Sequence, residues 1–137
     1  MLLSSLATGT RMPSKLPLQI LIVDPDISAA QITRAIVARA TPDAQITIEP
    51  DAQRACRELA RIQPDVLIID PSPSLIAGLQ LIAAVKGRHA GQVIVVASAP
   101  TAELRRRMHT LGTDLYLEKP TPLSIERLRS LLTGAHG

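Results

Sequence analysis

Five short aliphatic runs, separated by amphipathic stretches, constrain the fold of this chain more than any other feature. The runs LQILIV, DVLIID and QVIVVA are apolar at nearly every position, which is typical of strands buried on both faces of a parallel sheet. We therefore predict a parallel sheet that is covered by helices on both sides. The predicted strands lie at residues 18–23, 45–49, 65–70, 92–97 and 114–118.

The stretches between the runs have the spacing of apolar residues that is typical of helices. Ser28 and Asp51 are predicted N-caps, and Gly87 and Gly112 lie where helices are expected to end. The pattern predicts an α/β domain, a doubly wound five-stranded parallel sheet flanked by five helices with a flavodoxin-like architecture. The predicted helices cover residues 28–40, 51–63, 77–87, 101–111 and 122–133.

The composition of the 137 residues, 46% hydrophobic and 20% charged, indicates one domain. We predict a flexible N-terminal leader at 1–17, the domain at 18–133 and a short tail at 134–137, with no run long enough to span a membrane. Cys56 is the only cysteine, as a reducing cytoplasm permits, and its helical spacing favours a packing role. Tyr116 is the only aromatic residue and the net charge is +3, so direct binding to nucleic acid is not expected.

Polar side chains follow the first, third and fifth predicted strands. Asp24 and Asp26 come after the first strand, Asp70 ends the third, and Lys119 follows the fifth. Because ligands of open parallel sheets bind outside the carboxyl ends of the strands, these side chains are expected to form a site. Clustered carboxylates repel one another unless a cation lies among them, and Mg²⁺ prefers such oxygen ligands. A simpler alternative is that aspartates after strands cap the next helix, Asp26 above all.

Residues 18–132 resemble the response-regulator receiver domains of two-component signalling. The resemblance rests on ILIVDPD, on PDVLIID with Gly78 eight residues past Asp70, on LGTDLYLEKP, and on the spacing between these motifs. Each motif is short, but together and in order they are specific.

The resemblance implies a role for each polar residue at this edge of the sheet. It implies that Asp70 is the acceptor of a phosphoryl group and that Lys119 is the cation that contacts this group. It also implies a weak Mg²⁺ site. The expected ligands of the ion are Asp24, Asp70 and the backbone carbonyl of Ser72, with Asp26 as a further candidate.

Departures from the family pattern predict a degenerate receiver. Pro25 stands where the family commonly has a second acid after the first strand, so a direct metal ligand is expected to be missing. Ala97 stands where the family has Thr or Ser, and the alternation of a strand is expected to turn Ser98 to the opposite face. Tyr116 falls where the family often keeps an aromatic switch residue. Because the hydroxyl that normally links this residue to the phosphoryl group is missing at Ala97, we expect switching to be impaired.

The resemblance further implies partners and a surface that binds them. The expected partners are a histidine kinase or phosphotransfer protein, a downstream effector protein, and a second copy of the chain in a homodimer. The surface is formed by the predicted fourth helix, last strand and fifth helix. Its charged residues are Arg105, Arg107, Asp114, Glu118, Arg127 and Arg129.

Three hypotheses on function follow. The first is a cytoplasmic receiver module of a phosphorelay, not an enzyme, which accepts a phosphoryl group on Asp70 and acts through protein–protein interaction. The second is a phosphorylation-independent pseudo-receiver that serves as an adaptor or dimerisation module. The third is a small enzyme or nucleotide binder with a flavodoxin-like fold, which is disfavoured because no glycine-rich loop follows the first strand.

Overall fold

The computed structural model describes residues 17–89 and 91–133, and within them five parallel strands form one sheet. The predicted fold class is confirmed, and each predicted strand is present. The predicted leader, apart from Pro17, and the predicted tail lie outside the described residues. The strands are β1 (Gln19–Val23), β2 (Gln45–Ile48), β3 (Val66–Ile69), β4 (Gln92–Ala97) and β5 (Leu115–Glu118). Their order in the sheet is β2-β1-β3-β4-β5.

Six α-helices, rather than the predicted five, cover the sheet in the described part of the chain. The predicted helix at 51–63 is divided at Glu58, whose amide N–H is shared between the carbonyls of Arg54 at 3.2 Å and Ala55 at 3.1 Å. This sharing tightens one turn and interrupts the regular α-helical bonding. The helices are α1 (Ile27–Ala40), α2 (Ala52–Arg57), α3 (Leu59–Ile62), α4 (Leu75–Arg88), α5 (Ala102–Leu111) and α6 (Ile125–Thr133).

The N-terminus of α1 differs from its prediction. Asp26, and not Ser28, is the N-cap: its side chain accepts hydrogen bonds from the amides of Ser28 at 3.0 Å and Ala29 at 3.2 Å. Asp26 has the extended conformation of a cap residue, whereas Ser28 already belongs to the first turn. The carboxylate of Asp26 is therefore used by the helix.

The other predicted helix ends are mostly confirmed. The side chain of Asp51 caps α2, and Gly112 ends α5 in the left-handed region, at a φ of 71°. Gly87 is the exception, because it lies inside α4, which continues to Arg88. Among the described helices, none has both the length and the apolar character that crossing a bilayer requires.

The strands divide their side chains between two hydrophobic cores. Alternate residues such as Ile20 and Ile22 pack on the side of α1 and α6, while Leu21 and Val23 pack on the side of α2 to α5. All four side chains are almost completely buried. Burial on both faces explains the continuous apolar runs, and it leaves the strand ends as the place where polar side chains collect.

Helix α4 approaches the segment after β3 so closely that position 78 has no room for a side chain. A Cβ atom on Gly78 would lie 2.8 Å from the Cβ of Pro71 and 3.2 Å from its Cα. Pro71 directly follows Asp70, and a 3₁₀ turn at Ser72–Ser74 then leads into α4. The contact therefore fixes the path of the loop after β3.

Replacing Gly78 by alanine should lower the free energy of unfolding by about 1–3 kcal/mol, because Pro71 must move away from the new methyl group. Gly87 is a matched control in the same helix, since a Cβ there would meet nothing within 4 Å. Gly87→Ala should raise the free energy of unfolding by about 0.5–1 kcal/mol through helix propensity. Urea unfolding of both variants tests the contact, and equal effects of the two substitutions would contradict it.

Candidate functional site

Two acids and a lysine from distant parts of the sequence meet at the carboxyl edge of the sheet. Asp24 follows β1, Asp70 follows β3, and Lys119 follows β5. The Nζ atom of Lys119 lies 3.0 Å from Oδ2 of Asp24 and 3.2 Å from Oδ2 of Asp70. The Asp24 and Asp70 side chains are only 8% and 2% exposed, and that of Lys119 is 26% exposed. The structure thus brings together three of the predicted site residues.

The parallel register positions this group. Val23 and Ile69 are partners in neighbouring strands, so the residues that follow them lie side by side, and the Asp70 amide donates to the Val23 carbonyl at 2.9 Å. The amide of Lys119 donates to the carbonyl of Ala97 at 2.9 Å, which holds the end of β5 against β4. The site is therefore built on strand ends that the hydrophobic cores hold in place.

The remaining carboxylate oxygens are also engaged. Oδ1 of Asp24 accepts the amide N–H of Asp26 at 2.9 Å. Oδ1 of Asp70 accepts two amide N–H groups, from Ser72 at 3.0 Å and from Ser98 at 3.2 Å. Together with the two contacts to the lysine, each of the four carboxylate oxygens has a donor within the protein.

Hydrogen bonding keeps the Asp70–Lys119 pair charged at neutral pH. Burial by itself would raise the pKa of Asp70, but the hydroxyl and amide groups of Ser98 and Ser72 outweigh it, and the pKa is lower than its usual value. Burial would likewise lower the pKa of Lys119, but hydrogen bonds to Asp24 and Asp70 outweigh it and raise the pKa. A carboxylate and an ammonium therefore face each other in this pocket.

Ser98 contacts the site, and the prediction that it faces away is wrong. Strand β4 ends at Ala97, so strand alternation no longer determines the direction of the next residue. The backbone bends at Ser98, and its amide donates to Oδ1 of Asp70 at 3.2 Å, while its hydroxyl helps to lower the pKa of Asp70. Ala97 itself is fully buried and offers only a methyl group.

Ser72 links two loops beside Asp70 in a way that the sequence analysis missed. Its hydroxyl oxygen accepts the amide N–H of Ala99 at 3.0 Å, which joins the loop after β3 to the loop after β4. A hydroxyl residue in a turn after a strand commonly bonds to local backbone. The sequence gives no sign that its partner lies 27 residues away.

Glu49 is a second residue at this edge that the sequence analysis did not select. It follows β2, is 8% exposed, and accepts the amide N–H of Asp51 at 3.0 Å. Its carboxylate also lies 3.9 Å from the guanidinium of Arg54. The available signal was its position as the last residue of the run QITIE.

The residues at this edge do not fit a resident Mg²⁺ ion. Mg²⁺ requires near-octahedral oxygen coordination at short distances, whereas the oxygens of Asp24 and Asp70 already have protein donors. Asp26 caps a helix, where its Oδ1 accepts two amide N–H groups. Within the described residues, no three side chains of the His, Cys, Asp or Glu type are grouped so that they could hold a metal.

Tyr116 belongs to a separate polar cluster that is formed by residues of β5 and α5. Its hydroxyl donates to Oε2 of Glu118 at 2.8 Å, and Glu118 in turn pairs with the guanidinium of Arg105. Burial and this carboxylate raise the pKa of Tyr116 to about 12. A surface hollow of about 470 Å³ lies beside the ring. The hydroxyl of Tyr116 thus bonds to a residue of its own strand and not to Asp70.

Two of the six charged residues of the predicted interaction surface have partners on other helices. Asp114 pairs with Lys86 of α4 at 3.0 Å at the start of β5, away from the strand's carboxyl end. Arg129 donates to the backbone carbonyl of Arg39 in α1 at 3.3 Å, so its guanidinium is directed toward α1. The other members, exposed or half-buried, are Arg105, Arg107, Glu118 and Arg127.

Comparison with protein families and curated proteins adds independent findings. The family model described as response regulator receiver domain matches residues 20–133. A relative named protein-glutamate methylesterase/protein-glutamine glutaminase 5, from Myxococcus xanthus, is 28% identical over 117 residues. The match covers 84% of this chain but only 34% of that protein, so the chain spans about a third of its length.

Solved structures share the fold. A signal receiver domain of a DNA binding response regulator protein from Colwellia psychrerythraea is 24% identical with a TM-score of 0.71, and the match covers 87% of this chain and 98% of that one. A CheY-like response regulator receiver domain protein from Methanospirillum hungatei is 21% identical with a TM-score of 0.71, covering 88% and 94%.

The lowered pKa of Asp70 predicts part of the acid sensitivity of the fold. Ionisation of Asp70 stabilises the folded state above about pH 4, the range of an unfolded aspartate, and this contribution is lost as the pH falls through the lower folded pKa. The free energy of unfolding of Asp70→Asn should therefore fall less steeply with acidification below about pH 4 than that of the native chain. Ser98→Ala, which removes one of the hydrogen bonds, should lie between the two. Urea titrations across this pH range measure the slopes, and parallel curves would contradict the assignment.

Proposed function

Because the chain belongs to the response regulator receiver domain family, we propose that it is a cytoplasmic receiver module of two-component signalling that accepts a phosphoryl group on Asp70. The observation that carries the proposal is the position of the Lys119 ammonium, 3.2 Å from Oδ2 of a carboxylate that is otherwise held by backbone amides. This arrangement provides a fixed nucleophile with a positive charge beside it.

The geometry supports Oδ2 of Asp70 as the attacking atom. Oδ1 is held by two amides, while Oδ2 faces the ammonium, which can stabilise negative charge on the incoming phosphoryl oxygens. Attack on the phosphohistidine of a kinase or phosphotransfer protein forms an O–P bond and breaks the P–N bond, and the imidazole nitrogen leaves with the electron pair and takes a proton from water. Since the pKa of Lys119 is raised, the lysine keeps its proton throughout.

Receiver domains typically bind Mg²⁺, and we propose that this one does so only weakly. An ion at Asp24 and Asp70 would have to displace the ammonium of Lys119 from both carboxylates. Pro25 offers no side-chain oxygen in compensation. Such an ion would keep most of its water ligands, which lowers its affinity for the protein.

The output of the module would be a change in a protein surface and not a released product. We propose an effector protein or a second copy of the chain as the downstream partner, and no esterase activity for the chain itself. The part of the proposed surface that we favour carries Arg105, Arg107 and Glu118, which are exposed or half-buried. Because exposed ion pairs contribute little to affinity, they would serve mainly to orient the partner.

A phosphorylation-independent adaptor is the second candidate, and one specific observation favours it. The Tyr116 ring is tied to Glu118 and Arg105, and the buried residue between this cluster and Asp70, Ala97, has no hydroxyl. A modification of Asp70 then has no hydroxyl at Ala97 through which to move the ring, so the coupling would have to run through Ser98. A ligand shifts conformation only by interacting differently with the two states.

Phosphorylation by a small donor distinguishes the two candidates. Incubation with phosphoramidate should add one phosphoryl group to the native chain and none to Asp70→Asn, because only the carboxylate can attack. Intact mass measures the modification, and Asp26→Asn, which keeps a helix cap, is the matched control that should still be modified. A native chain that stays unmodified would leave the adaptor as the function.

The position of Tyr116 should change little when Asp70 carries beryllofluoride, a phosphoryl mimic. A hydroxyl at position 97 would favour the switched conformation over the resting one by about 1.5–3 kcal/mol, the size of a hydrogen bond to a charged group, and Ala97 lacks it. Chemical shifts of β4 and β5 should therefore respond fully in Ala97→Thr and only slightly in the native chain. Equal responses of the two proteins would contradict the loss of coupling.

A further inference from the structure

We infer that the ammonium of Lys119 is the resident cation of the pocket and that phosphoryl transfer to Asp70 does not depend on a divalent metal ion. The inference rests on the proposed function, because it concerns how the same carboxylate reacts. It goes further in assigning the charge-neutralising role to a side chain of the protein in a family whose members typically bind Mg²⁺.

The contacts of the pocket provide the first argument. A single ammonium lies between the facing oxygens of Asp24 and Asp70, at 3.0 and 3.2 Å. Both other oxygens of these residues accept backbone amides. A divalent ion at these facing oxygens would compete with this ammonium, and displacing it would leave Lys119 in the pocket without its partners.

The charge of the pocket provides the second argument. Two carboxylates and one ammonium leave one net negative charge, whereas a third acid at the position of Pro25 would leave two. A lower negative charge weakens the attraction for a divalent ion, and Mg²⁺ gives up its water ligands reluctantly. It also lowers the repulsion that an incoming phosphoryl group meets, so neutralisation by a metal ion is less necessary.

The reaction is complete without another reagent. Oδ2 of Asp70 attacks the phosphorus of a phosphoramidate-type donor, an O–P bond forms and the P–N bond breaks. The leaving nitrogen takes the electron pair and a proton from water. Lys119 remains protonated and moves from the carboxylate toward the phosphoryl oxygens within the same pocket.

The experiment compares the rate of phosphorylation by phosphoramidate in excess EDTA and in saturating MgCl₂ at equal ionic strength. For the native chain the two rates should differ by less than about twofold, the size of an effect on exposed charges. Pro25→Asp supplies the third acid and should be accelerated about tenfold or more by Mg²⁺, since a bound metal contributes several kcal/mol to such a step. Pro25→Asn removes the proline without adding a charge and should behave as the native chain.

The substitutions at Pro25 are compatible with folding, because the residue is exposed and proline has no amide N–H that the fold could use. Calorimetric titration with MgCl₂ provides a second readout, in which Pro25→Asp should bind about tenfold more tightly than Pro25→Asn or the native chain. Binding that is equally tight in all three would overturn the assignment to Pro25.

The outcomes separate the inference from the proposed function. Modification of the native chain that requires Mg²⁺ would overturn the inference and leave Asp70 as the acceptor. Modification under neither condition would overturn the proposed function itself. Equal rates in EDTA and Mg²⁺, with metal dependence in Pro25→Asp alone, support both.

Discussion

Burial of the central strands on both faces is the constraint on which the rest of the structure depends. Strands β1, β3 and β4 are enclosed by two hydrophobic cores, so their polar neighbours in sequence can reach water only at the strand ends. The parallel register then aligns these ends along one edge. In this way Lys119 contacts Asp24, 95 residues earlier, and Asp70, 49 residues earlier, because the sheet and not the loops sets their positions.

The parts that could be predicted from the sequence are those that depend on periodicity and on the order of strands. The apolar runs predicted the strands, and the residues after them predicted that Asp24, Asp70 and Lys119 would meet. Prediction failed where a single residue decides between local alternatives. Ser98 contacts Asp70 because β4 ends one residue before it, and α1 begins from Asp26 because that carboxylate reaches two amides.

Side-chain contacts between residues distant in sequence were the second part of the structure that could not be predicted from the sequence. Asp114 and Arg129 were grouped with the charges around β5 because the family resemblance implied one binding surface there. Their actual partners, Lys86 and the carbonyl of Arg39, lie on other helices. Such contacts depend on the lengths and rotamers of side chains across a packed interface, and neither hydrophobic periodicity nor the order of elements contains that information.

Because Lys119 is paired with two buried carboxylates, the presence of these three residues in a related sequence does not by itself indicate signalling through phosphate. Removing any one member would leave a buried charge without its partner, which is strongly destabilising. Natural selection for a folded protein alone would therefore tend to preserve the trio, even in a lineage that had stopped signalling through phosphate. The exposed position of Pro25 is under no such restraint from folding, and it is at positions of this kind that a change of function would first become visible in evolution.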